Sequence, residues 1–209
     1  MKNIHLKTGV LIALMAFTQQ ACFDDLNTEP LDRDEFTSIE VYKDPASYKK
    51  VLAKIYAGLA LSGQQGPSGL ADISGIDEGF STYLRQYWKA QELPTDEAVI
   101  GWNDGNIADF HQQDWDANNE FIAAMYSRIF YQISLCNEFL RETTEEKLSS
   151  RNIPSNVASE VATYRSEVRF LRALSYYHAL DLFRNVPFVT EANEVGNFFP
   201  EQIDKTSLF

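Results

Sequence analysis

VATYRSEVRFLRALSYYHALDLFRNVPFV, residues 161–189, reads as one long helix. Val161, Tyr164, Val168 and Leu171 step by three and four, the spacing of a single helical face. A second face carries Phe170, Leu174 and Tyr177. A helix apolar on more than one face is covered by neighbours on more than one side. The run therefore predicts a central pillar of a helical assembly. Pro187 is expected to stop it, because proline lacks an amide donor and clashes with the preceding turn. His178 lies on this helix and reads as a hydrogen-bonded core residue rather than a ligand.

Outward from the pillar, a second long helix is predicted from about Asn118 to Thr143. Ile122, Tyr126, Ile129, Ile133, Cys136 and Leu140 alternate steps of four and three. The polar connection TTEEKLSSRNIPS, 143–155, leads to Ser155, a candidate N-cap. The two helices form an antiparallel hairpin of the kind that stacks in helical-repeat proteins. Ala173, Tyr177, Leu180 and Pro187 loosely echo the second helix of a tetratricopeptide repeat. Further upstream, Asp44-Pro45 offers an N-cap with proline at the first helical position. Tyr48, Leu52, Ile55 and Leu59 continue that helix to near Gly63. The fold class is all-α, with tetratricopeptide-like hairpins.

Residues 62–115 differ in character. Gly63, Gly66, Gly69, Gly75 and Gly79, with Pro67 and Pro94, are expected to break any long regular element. Phe80, Tyr83, Tyr87, Trp88, Trp102, Phe110 and Trp115 are mixed with polar groups. A long, aromatic-rich insertion of this kind is where a binding site is expected. Beyond Val189 the sequence loosens, as for a loop entering another helix.

The amino terminus carries an export signature. Lys2 and Lys7 form a basic region, Gly9 to Phe17 is apolar, and Ala21 precedes Cys22. The apolar stretch is far short of the about 20 residues a spanning helix needs. Residues 1–21 read as a lipoprotein signal, Cys22 as the acylated residue, and 22–43 as an acidic, proline-punctuated tether. The body is 44–209. An ordinary secretory signal with an incidental cysteine is the alternative. After Cys22 only Cys136 remains, so no disulfide framework is available; Cys136 reads as a small core residue. The formal charge is −12, and loss of the two signal lysines makes it −14. Such a chain does not bind nucleic acid or an anionic membrane by bulk electrostatics. Its membrane contact is expected through the lipid anchor.

Enzyme signatures are missing. The sequence has no Gly-x-Ser-x-Gly elbow, no phosphate-cradling glycine loop and no metal-spaced cysteine or histidine cluster. His5, His111 and His178 are scattered. Asp77-Glu78, Asp96-Glu97 and Asp114 with Asp116 are sequence neighbours, whereas a glycosidase sets two carboxylates facing each other across about 5 to 9 Å. The reading is a binding protein without a cofactor; a surface glycosidase is the weaker rival. Sugars present apolar C–H faces to a tryptophan or tyrosine plate and hydroxyls to Asp, Asn and Arg at its edge. Residues 77–106 hold both kinds: Asp77, Glu78, Tyr83, Arg85, Trp102, Asn103 and Asn106. Trp102 is then either such a platform or a core residue flanked by turn-capping polar groups.

The core EVRFLRALSYY, Glu167 to Tyr177, resembles the signature helix of the SusD/RagB family. Members are surface lipoproteins that capture nutrients for an outer-membrane transporter. The resemblance implies a helical-repeat scaffold and a TonB-dependent, SusC-like porin as partner. Asp24-Asp25, just past Cys22, resembles the tag that sends such lipoproteins to the outer face of the outer membrane. Gly63-Gln64-Gln65-Gly66, Asp77-Glu78-Gly79 and Glu92-Leu93-Pro94-Thr95-Asp96-Glu97 are similar to the starch-binding branch. By that similarity Asp77, Arg85 and Trp102 match ligand-contacting positions. The family's asparagine near the tryptophan falls closest to Gly105, with Asn103 and Asn106 flanking it. The implied ligand is a starch-like α-glucan, with another glycan or a peptide as the alternative cargo of a scaffold or lid. Family members are longer, and the resemblance is to their amino-terminal part.

Overall fold

Backbone amides at a helix start need acceptors, and the short helices here show how local side chains supply them. The computed structural model describes residues 37–62, 72, 73, 75–77, 79–196 and 199–209. The signal, Cys22, the first part of the tether, Gly63 to Gly66 and Glu78 lie outside the described residues. Of one unit the described residues are 37–41, in which α1 (Ser38–Val41) is a single turn opened by Thr37. Residues 42–209 form a second unit.

In that second unit, α2 spans Ser47–Ala57. Asp44 opens it, accepting from the Ala46 amide through Oδ1 at 2.9 Å and from the Ser47 amide through its carbonyl. The regular helix starts two residues after the expected Pro45, because a turn intervenes, and the predicted end near Gly63 gives way to turns after Ala57. Tyr48, Leu52 and Ile55 are buried as the spacing predicts. The next helices are α3 (Tyr83–Glu92), α4 (Asp109–Gln112), α5 (Glu120–Glu142), α6 (Glu145–Ser150) and α7 (Ser155–Phe183). Strands β1 (Val186–Pro187) and β2 (Gln202–Ile203) pair antiparallel, and α8 (Lys205–Leu208) follows. The described residues are thus mainly helical, the all-α class expected.

Three contacts establish that α5 and α7 run antiparallel. Arg165 Nη1 donates to the Leu140 carbonyl, Arg172 to Asn137, and Phe183 meets Tyr126 edge-on, so one helix ascends as the other descends. Cys136 and Leu140 on α5 and Val161, Val168 and Leu171 on α7 are buried together with α2, while Ile129 and Ile133 on α5 pack with Tyr83, Tyr176 and Ala179. Each such burial contributes about 1.5–3 kcal/mol relative to exposure. The second apolar face of α7 is different. Phe170 and Tyr177 are exposed and Leu174 is half-buried, so the predicted cover on more than one side does not extend over them.

Both ends of α7 depart from expectation. Its N-cap is Pro154 and no side chain caps it, so Ser155 is the first helical residue rather than the cap. Its stop is Arg184, at φ 68°, with an amide that still donates to the Leu180 carbonyl. The left-handed residue turns the chain before Pro187, which becomes part of β1. The end of α5 is satisfied by side chains. Thr143 Oγ1 donates to the Phe139 carbonyl and Arg165 to that of Leu140, filling acceptors that lack helical partners. No described helix is long and apolar enough to cross a membrane.

Candidate functional site

The insertion contains one regular helix that periodicity missed. The buried face of α3 is Tyr83, Gln86 and Lys89, a stripe of polar-tipped side chains that carries no hydrophobic signal. Tyr83 Oη lies 2.9 Å from His178 Nδ1, and Tyr87 stacks on the same imidazole at 4.0 Å between centroids. His178 is therefore the hydrogen-bonded core residue expected, and burial holds its pKa below the usual histidine value.

From α3, two neighbouring side chains reach the turn that carries Asp77. Arg85 Nη1 donates to the Gly79 carbonyl at 2.7 Å, and Gln86 Nε2 to that of Phe80 at 2.6 Å. Asp77 folds over the same turn, its Oδ1 accepting from the Gly79 amide at 2.6 Å. A Cβ on Gly79 would stand 2.9 Å from that oxygen, so the Asp77 carboxylate would have to shift to admit a side chain there. The Arg85 guanidinium then lies over the Trp102 ring, 5.3 Å from its centroid. Asp77, Arg85 and Trp102 are thereby brought into one chain of contacts. Trp102 is 57% exposed, so with a cation over one face the other is open to solvent. Asn103 beside it is exposed as well.

Asn106 is engaged differently. Its Oδ1 accepts from the Glu120 amide at 3.2 Å and its Nδ2 donates to the Asn118 carbonyl, tying the Trp102 strip to the start of α5. Asn119, fully buried, completes that tie. Its Oδ1 caps the Phe121 and Ile122 amides, while Nδ2 donates to the Asn106 carbonyl and Asp109. Gly105 sits at φ +50°, where a Cβ would strike Glu120 Oε1. The asparagine that family spacing would place there has no room unless Glu120 moves.

Beneath Arg85, the Lys89 ammonium lies between two phenyl rings, 4.3 Å from the Phe121 centroid and 5.1 Å from that of Phe80. Burial pushes it down from 10.5 to about 8, and the Arg85 charge adds to the effect; Glu120 and Asp104 oppose it. An apolar cavity of about 680 Å³ lined by Phe110, Trp115, Phe121, Tyr126 and Phe183, among others, includes neither Trp102 nor Arg85. Trp102 and Arg85 instead lie at the surface. Among the described residues no group of three or more His, Cys, Asp or Glu could hold a metal ion.

No family model matches the chain. It is similar to the starch-binding protein SusD of Bacteroides thetaiotaomicron, 32% identical over an alignment that covers 100% of this chain and 35% of the relative. The chain spans about a third of that relative's length. With a helical hairpin bearing the signature run on α7, this similarity along its whole length places the chain in the SusD/RagB-like family, as an amino-terminal part.

Proposed function

We propose that this chain is part of a cell-surface glycan-binding lipoprotein that captures starch-like α-glucan. In this reading Cys22 carries the lipid anchor at the outer membrane, and the captured chain is handed to a TonB-dependent, SusC-like porin. No bond is made or broken: the similar protein is named for binding, and capture needs only shape and hydrogen bonds. The observation that carries the reading is the exposed Trp102 ring with Arg85 over one face and Asp77 fixed on the adjoining turn. A glucose ring stacks its C–H face on the open side of the indole. The guanidinium on the far side stiffens the platform, and Asp77, Arg85 and Asn103 offer acceptors and donors to hydroxyls at its edge. Asn106 supports the strip from behind. Several linked rings engage such a surface better than one, which favours oligosaccharides over free glucose.

Titration with maltooligosaccharides, followed by tryptophan emission, tests this. Saturable binding that lengthens in residence with chain length is expected. Trp102→Ala should weaken it tenfold or more, about 1.4 kcal/mol, with helicity by circular dichroism unchanged. Undiminished affinity in that variant removes Trp102 from the site. Binding of an unrelated glycan alone would replace the starch assignment.

A further inference from the structure

The turn beside the platform is held from below by an arginine that the glycan reading does not use. Arg128, on α5, is 1% exposed. Its Nε donates to the Ser81 carbonyl at 2.6 Å, and Nη2 to the Ser81 hydroxyl at 3.1 Å and the Ser62 carbonyl at 3.2 Å. Its Nη1 pairs with Asp72 at 2.7 Å. All four bonds go to Ser62, Asp72 and Ser81, none of which belongs to a helix or strand. A buried guanidinium is tolerated only where its charge and donors are met, and this one is met entirely by the insertion. The Ser62 carbonyl also accepts from the Asp72 amide at 3.4 Å, so residues ten apart in sequence converge on one cation.

A pattern emerges downstream. The carbonyls of three successive residues, Gly79, Phe80 and Ser81, are each taken by a helical side chain: Arg85, Gln86 and Arg128. The first of these is the arginine over Trp102. Moving Ser81 off Arg128 would shift the Gly79 carbonyl, two residues away, and with it the perch that holds Arg85. Lysine offers one ammonium where this site uses three guanidinium nitrogens in fixed directions.

We infer that Arg128 is a positioning residue for the Trp102–Arg85 surface, fixing from α5 the turn that carries Asp77 and receives the Arg85 guanidinium. Its hydrogen bonds go to Ser62, Asp72 and Ser81, not to Trp102 or Arg85. The effect on ligand rests on the glycan reading above, whereas the effect on the surface does not.

The test uses the full chain with Trp88→Phe and Trp115→Phe, leaving Trp102 as its one tryptophan. Asp72→Asn, Arg128→Lys and Arg128→Met are compared by iodide quenching of Trp102, amide exchange at Gly79 to Leu84 and maltoheptaose affinity. Asp72→Asn should raise the Kd about threefold and speed exchange at those amides. Arg128→Met should raise the Kd tenfold or more, with partial rescue by lysine. Should Arg128→Met fail to fold, Asp72→Asn decides, since its side chain lies at the rim of the cluster. Quenching and exchange unchanged in a folded Asp72→Asn or Arg128→Lys variant overturn the inference. If the parent binds no α-glucan while quenching and exchange still respond, the positioning role stands and the ligand reading falls.

Discussion

Where α5 faces α7, apolar packing dominates; where the same α5 faces the insertion, apolar packing is joined by buried polar side chains that grip backbone carbonyls. In the first region Ile133, Cys136, Phe139 and Leu140 bury their whole surface against Val161, Val168 and Leu171 or their neighbours. In the second, Arg128 and Asn119 on and before α5, with Gln86 and Arg85 on α3, each donate to a carbonyl of loop backbone. Apolar packing is non-directional and tolerates small shifts, whereas a hydrogen bond loses strength with modest misalignment. The hairpin is thus a source of stability, and the insertion is a source of position. A binding surface needs the second kind.

The comparison predicts that damage in one region leaves the other's signature intact, and the largest effect should come from the hairpin. Phe139 is fully buried and meets Tyr42 edge-on. Phe139→Ala should cost about 3–5 kcal/mol by lost transfer and an unfilled cavity. Urea unfolding measures this. Below the midpoint, Trp102 quenching should match the parent; a change there in the folded state would break the division.

This contrast also explains what could be read before any coordinates. The α5 and α7 faces were legible because burial there repeats every three to four residues. The ends of α7 were not: Arg184 takes a left-handed conformation with no sequence mark, and Pro187, the visible stop, lies beyond the real one. The helix α3 hid because its buried stripe is Tyr83, Gln86 and Lys89. Family likeness pointed to Asp77, Arg85 and Trp102, and those three do converge. Composition alone left Trp102 between platform and core. Arg128 lay unnoticed on the buried face of α5, where an arginine in step with apolar residues is itself a sign of a buried polar task.

A sharper version of the comparison comes from Asn119, which serves both regions. Its Oδ1 caps α5 and its Nδ2 holds the Trp102 strip. Asn119→Ala should cost about 2 kcal/mol, the upper range for a cap, because the site is fully buried. Asn119→Asp keeps the acceptor and loses the donor. It should retain more of the helix stability while altering Trp102 emission as strongly as alanine does. Equal stability losses in the two variants would show that the strip, not the cap, dominates the residue's contribution.

The smallest expected effect tests the electrostatics under Arg85. Lys89 is held near 8 by burial, with Arg85 adding like charge from one turn away and Glu120 and Asp104 opposing. The faces of Phe80 and Phe121 favour the ammonium form and limit the shift. Below pH 8 the folded and unfolded chains both carry the proton, so the folded state bears the full penalty of a charged, buried amine. As pH rises from 8 towards the ordinary lysine value of 10.5, the folded chain releases the proton first and its stability increases. Cys136, whose thiol burial pushes from 9.0 up to about 12, opposes the rise once the unfolded thiol ionises near 9, and Tyr42 and Tyr83, whose phenols burial holds far above 10, add to that opposition at higher pH. The usable window is pH 8 to 9, and urea midpoints across it should show a rise of up to about 1 kcal/mol in stability. Lys89→Met should flatten that rise by removing the titrating group while keeping the stem between the two rings. A slope that survives the substitution would move its origin away from Lys89, and the insertion would then be held by geometry alone.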